Sequence, residues 1–178
     1  MTEDPYVYPG TQVLRNFERI ERELVAQRIS EGIPTGGFDL RHLQAIHRHL
    51  FQDVYDWAGQ VRTVRISKGG NPFCFPENIE DQAGKLFGDL LAANYLRNLD
   101  AQAFSAKAAH FLAELNAIHA FREGNGRSQL TFFALLADHA GYPLNLDKLE
   151  PREMLDAMIA SFGGDEHKLA AIINGLIS

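Results

Sequence analysis

The chain has 178 residues, of which 46% are hydrophobic and 22% charged. That is ordinary globular usage; it excludes a disordered or collagen-like chain and gives one compact domain over residues 1–178 rather than two full cores. Lys and Arg number 17 against 23 Asp and Glu, for a net charge of −6, so a surface that wraps nucleic acid is disfavoured while a small basic site for a nucleotide is allowed. The single cysteine, Cys74, precludes an intrachain disulfide and a multi-cysteine zinc site. The N-terminus, M-T-E-D-P, is acidic and lacks an apolar signal core. No apolar run approaches the ~18–20 residues that span a bilayer. A soluble, cytoplasmic protein without a membrane partner is expected.

Residues 1–10 read as an arm, extended through D-P-Y-V-Y-P-G at 4–10. Val13, Phe17, Ile20 and Leu24 then recur at helical spacing, and Gly32 and Pro34 close that helix. Asp39 is placed to cap a second helix carrying Leu40, Leu43, His47 and Leu50, with Trp57 as a core anchor beyond it. The β-branched run at 61–67, a Gly-rich turn at 68–72 and Phe73-Cys74-Phe75 predict a β-hairpin over about 61–76. Ile79, Ala83, Leu86 and Leu90 mark another helix, in which Gly84 and Gly88 would admit a close neighbour. Phe104, Ala108, Phe111, Leu115 and Ile118 form the cleanest stripe in the chain. Leu130, Phe133, Ala134 and Ala137 form the next, ended by Gly141 and Pro143. Helical patterns near 151–161 and 166–177 complete a mainly α fold with one hairpin.

Between the two strongest helices lies H-A-F-R-E-G-N-G-R, residues 119–127. Gly124, Asn125 and Gly126 can turn successive N–H groups into one anion-binding concavity. A helix starting near Arg127 adds the positive end of its dipole, and Arg127 adds a planar cation for phosphate oxygens. Glu123 is a hard oxygen ligand suited to Mg²⁺, and His119 exchanges a proton near neutral pH. Each feature alone has a plain structural reading as a turn, a helix end or a solvated charge. Their convergence in nine residues points to a phosphate or nucleotide site, without naming the reaction. Elsewhere, His42, His47 and His49 miss the i,i+4 spacing of helical zinc ligands. His110 and His139 read as polar-face or packing residues, and Cys74 as a small apolar filler.

At these residues the chain resembles the Fic family, whose motif is H-[P]-F-x-[D/E]-G-N-G-R-x-x-R; this sequence reads H-A-F-R-E-G-N-G-R-S-Q-L. The resemblance extends to R-I-S-K-G-G-N-P-F, similar to the family's target-docking flap, to D-V-Y-D-W-A-G at 53–59 and to the arm at 4–10. It implies a Fic-like helical bundle with a β-hairpin flap, of the small bacterial toxin type. The implied activity is transfer of AMP from ATP to a hydroxyl side chain of another protein. His119 would be the general base and Glu123 would hold Mg²⁺. Gly124, Asn125, Gly126 and Arg127 would bind phosphates, and Phe121 would lock the loop into the core. Lys68 and Gly69 would lie beside the nucleotide on a flap that receives the target as an added strand. The resemblance also implies topoisomerase subunits as targets and a separate small antitoxin, since no [S/T]-x-x-x-E-[G/N] inhibitory helix is found.

Two positions depart from the motif. Ala120 replaces Pro, which removes rigidity but no chemical group. Leu130 replaces the second Arg, which in the family meets the γ-phosphate; its helical spacing puts it on the Phe133/Ala134 core stripe. That departure keeps two alternatives in view: a weakened domain acting as a protein-binding module, and an enzyme with another nucleotide donor.

Overall fold

Asp39 caps as its place before an apolar run predicts. Its carboxylate accepts the His42 N–H at 2.9 Å, starting the second of seven α-helices found among the described residues. The computed structural model describes residues 9–178, with side chains from Arg15 onward. The helices are α1 (Pro9–Ser30), α2 (Leu40–Phe51), α3 (Ile79–Ala92), α4 (Ala101–Ile118), α5 (Asn125–His139), α6 (Pro151–Phe162) and α7 (His167–Leu176). Between α2 and α3 lie two strands, β1 (Ser67–Lys68) and β2 (Asn71–Pro72), paired antiparallel.

Helix α4 is the axis of the fold and packs against α3, α5, α6 and α7. Its predicted stripe is fully used: Phe104 and Ala108 are inaccessible, and Phe111, Leu115 and Ile118 are buried. Opposite them stand Phe132, Phe133, Leu136 and Ala137 of α5, together with Leu43, Ile46, Leu50 and Phe51 of α2. At ~1.5–3 kcal/mol for each large side chain removed from water, this aromatic-rich seam is the main source of stability.

Several sequence expectations are corrected. Pro9 and Gly10 of the proposed arm belong to α1, and proline in the first turn of a helix is common; residues 1–8 of that arm lie outside the described residues. Among the described side chains of α1, Glu21 and Val25 are buried, while Phe17 and Ile20 of the predicted stripe are about half exposed; Val13 of that stripe lies outside the described side chains. Gly84 and Gly88 are exposed and nothing approaches them, so they serve no close contact. Trp57 is only half-buried, stacked on Tyr55 at 4.2 Å. The flap is shorter than 61–76. Its strands hold two residues each, joined through Gly69 and Gly70, both at positive φ as a tight hairpin turn requires. Within the preceding run, the Arg62 N–H donates to the Ala120 carbonyl, just beyond α4, at 2.9 Å, while the Ile66 carbonyl still accepts the Phe73 N–H across the hairpin at 3.1 Å.

Candidate active site

The motif loop joins the C-terminus of α4 to the N-terminus of α5. Helix α4 ends at His119, which takes a left-handed conformation (φ 50°, ψ 63°) and donates its N–H to the Leu115 carbonyl. This closes the helix and turns the imidazole out of the helical row. The ring stacks on Phe73 of the flap, 3.8 Å between centroids and 8° from parallel. Its Nδ1 lies 3.3 Å from the Asn116 carbonyl, so Nδ1 carries the proton and Nε2 holds the lone pair. Burial lowers the His119 pKa to about 4, against the opposing pull of the Asn116 carbonyl; Arg62 and Lys68 lower it further. At neutral pH the ring is therefore an unprotonated acceptor.

The next turn is fixed from inside. Phe121 is 1% exposed and stacks on His47 at 3.9 Å. Asn125 is buried and spends its carboxamide on the loop, accepting the Phe121 N–H and donating to the Phe121 carbonyl. Gly124 sits at φ 78°, and a Cβ there would meet the Phe51 ring at 2.5 Å, so only glycine fits. His47 accepts the Gly59 N–H at Nδ1 and donates from Nε2 to the Glu123 carbonyl, which sets its tautomer. Burial lowers its pKa to about 4 as well, opposed by the Glu123 carbonyl and aided by Arg127.

No side chain caps α5, because its N-cap is Gly124. The first amides of the helix are left open at the positive end of its dipole, the arrangement that receives anions. A cavity of about 480 Å³ lies beside this end. It brings together His119, Lys68 and Asn71 from the flap, Asn116 from α4, and Gly126, Gln129 and Leu130 from α5. Its far wall is apolar, supplied by Met154, Leu155, Met158, Ile159 and Phe162 of α6. Leu130 is thus a cavity-wall residue, half-buried, rather than the core residue its spacing predicted. A larger groove of about 1070 Å³ runs between α3 and α4 but contains no residue of the 119–127 loop.

Not every predicted residue shares the cavity. Gly69 is in the exposed turn, outside the lining. Glu123 is exposed and Arg127 lies toward α1 and α2, with its guanidinium 4.7 Å over the Phe51 ring and paired with the Glu21 carboxylate. Glu21 also accepts the Tyr55 hydroxyl at 3.0 Å; burial and that carboxylate push the Tyr55 pKa up to about 12.

Three residues escaped the sequence reading. Arg62 is 2% exposed and donates to four carbonyls, those of His119, Val64, Cys74 and Ile118. It ties the end of α4 to both roots of the flap, and burial lowers its pKa. Its only sequence signal was a cation inside a β-branched run. Gln129 lines the cavity with its Oε1 buried and without a hydrogen-bond partner. Glu21 had no signal at all. The histidines at 42, 47 and 49 each bond a backbone carbonyl, of Pro34, Glu123 and Arg28 respectively. Cys74 is half-buried with its thiol pKa raised by burial, as a filler would be. His110 pairs with Glu166 at 3.0 Å.

A family model described as Fic/DOC matches residues 37–137, and the chain belongs to the Fic/DOC family. It is 50% identical over 185 residues to "Probable protein adenylyltransferase y4lH" of Sinorhizobium fredii, across 98% of this chain and 96% of that one. It is 38% identical to "Protein adenylyltransferase VbhT" of Bartonella schoenbuchensis, across 96% of this chain and 38% of that longer protein. Among solved structures, the N-terminal Fic domain of a VirB-translocated Bep effector protein from Bartonella quintana, with bound ADP, matches at a TM-score of 0.82. It has 26% identity and covers 91% of this chain and 85% of that one.

Proposed function

We infer that this chain transfers AMP from ATP to a hydroxyl side chain of a target protein. One observation carries the reading. A neutral His119 with a free Nε2 opens into the same cavity as the uncapped N-terminus of α5 and the flap lysine. His119 Nε2 takes the proton of the target hydroxyl as its oxygen bonds to the α-phosphorus. The bond from that phosphorus to the α–β bridging oxygen breaks, and pyrophosphate leaves with the electron pair. The open amides of α5 and Lys68 stabilise charge on the phosphates. Arg127 holds a phosphate farther along the chain from the base.

Glu123 fits a Mg²⁺ shared with phosphates. It is the one carboxylate of the loop, it is exposed, and its backbone is pinned by His47. A single carboxylate is what Mg²⁺ needs when phosphates and water complete its shell. When bound, the ion supplies neutralising charge between phosphates. The exposed two-stranded flap is the edge on which an extended target segment adds as a further strand. The proposed setting is that of a cytoplasmic toxin with a separate small antitoxin, acting on topoisomerase subunits, with no membrane or nucleic-acid partner. No helix among the described residues is long and apolar enough to cross a membrane.

Leu130 in the cavity wall supports a second reading, a weakened domain that binds proteins through its flap or uses a donor other than ATP. ATP labelled at the α-phosphate, incubated with Mg²⁺ and bacterial lysate, separates the two. Transfer of label to a protein band by the wild type, lost in His119→Ala, is the result expected. Equal labelling by both proteins would refute the catalytic role of His119.

A further inference from the structure

Arg127 stands in the first turn of α5 with its side chain 40% exposed, where a long, flexible cation would ordinarily sample many rotamers. Here it is held at two places. The ring of Phe51 lies 4.7 Å beneath the guanidinium, and Glu21, 106 residues away on α1, accepts from Nη2. Glu21 is itself fixed. Its residue is 9% exposed, and its second oxygen accepts the Tyr55 hydroxyl at 3.0 Å. Tyr55 in turn stacks on Trp57. A chain of contacts thus runs from α1 through the segment after α2 to one edge of a single guanidinium.

We propose that Glu21 is a positioning residue, which orients Arg127 so that the remaining N–H groups of its fork meet a ligand phosphate. This rests on the reading of Arg127 as a phosphate ligand. Only one of the five N–H donors of the guanidinium is given to Glu21. The arrangement leaves the rest in a plane already set by Phe51, which is what bidentate phosphate recognition requires. The alternative is that Glu21 competes with the phosphate and must release Arg127 first. That would leave a nearly buried carboxylate with a tyrosine as its one partner, and an uncompensated buried charge is strongly unfavourable. The geometry therefore favours a phosphate that binds while the Glu21 contact persists.

The test compares ADP and AMP binding by calorimetry for the wild type, Arg127→Ala, Glu21→Ala and Glu21→Gln, with a melting temperature for each. The expected wild type binds ADP more tightly than AMP, and Arg127→Ala removes that preference. Glu21→Ala should weaken ADP about tenfold and AMP less than twofold, and Glu21→Gln, which keeps one acceptor, should fall between. In the transfer assay Glu21→Ala should raise KM for ATP more than it lowers kcat. Equal weakening of ADP and AMP with a lower melting temperature would reduce Glu21 to a fold-holding contact and overturn the proposal. Tighter ADP binding by Glu21→Ala would make Glu21 a competitor and overturn it as well, as would no change. If the wild type shows no preference for ADP, or Arg127→Ala keeps it, the assignment of Arg127 fails first and the role of Glu21 falls with it.

Discussion

Acidification should unfold this protein chiefly through two histidines of the site. Burial holds His47 and His119 near 4, against an ordinary 6.5. A histidine with a depressed folded pKa takes up its proton first in the unfolded chain. Its contribution is complete above the ordinary pKa and is lost as pH falls through 6.5 toward 4. Taking those two values, each histidine costs about 2.5 kcal/mol between pH 7.5 and 4.5, and the pair about 5 kcal/mol. That is a large share of the ~5–15 kcal/mol by which domains are stable. The assay is urea unfolding at closely spaced pH values for the wild type and His119→Ala. The variant loses one of the two linked protons, so its slope of unfolding free energy against pH should be about half that of the wild type. Alanine in the left-handed conformation of residue 119 adds a constant offset and leaves the slope untouched. Asp53 and Asp165, held below the usual carboxylate range by Arg28 and His167, act at lower pH and equally in both proteins. A variant with the wild-type slope would refute the reasoning, as would a His119 ring signal that titrates near 6.5.

Other outcomes follow from the same geometry. The acid limb of kcat/KM for AMP transfer should lie well below 6.5, because the free protein keeps His119 unprotonated to about 4; a pH–rate profile checks this. Leu130→Arg puts a guanidinium in the cavity wall and should lower KM for ATP about tenfold, read from initial rates. Arg62→Met strips four buried carbonyls of their donor and should cost about 3 kcal/mol or more in urea unfolding, since each unsatisfied group costs ~1–3 kcal/mol. Gly84→Ala and Gly88→Ala, on the open face of α3, should each stabilise by about 1 kcal/mol, seen as a raised urea midpoint.

The elements that periodicity reads well are those whose partners are also helices. The α4 stripe is legible because every fourth or third residue is apolar and each is met by another apolar side chain. Helix α1 is not, because one of its two buried positions among the described side chains is a glutamate. A pattern of apolar residues assigns charge to the outside, and Glu21 is inside only because Tyr55 and Arg127 meet it there. Leu130 shows the same limit from the other side. Core and cavity wall present one apolar spacing, and what separates them is the stand-off of α6 across the gap. The flap was overextended for a related reason. Its β-branched residues describe an extended chain, but Arg62 in that chain pairs with Ala120 in the loop after α4, and only Ile66 onward meets the returning strand.

The loop stands out as a candidate site in the sequence because H-x-F-x-E-G-N-G-R concentrates special residues in one stretch. The side chains that hold the loop do not stand out in the sequence. Arg62 reaches His119 across 57 positions, His47 reaches Glu123 across 76, and Glu21 reaches Arg127 across 106. Each acts on a different property of the loop. Arg62 ties the His119 backbone to the flap, His47 holds the Glu123 backbone, and Glu21 holds the Arg127 guanidinium. The loop supplies the functional groups, but the orientation of each depends on one buried polar side chain from elsewhere. Substitutions at those three supporting positions should therefore impair the site through different measurable quantities, even with every motif residue intact.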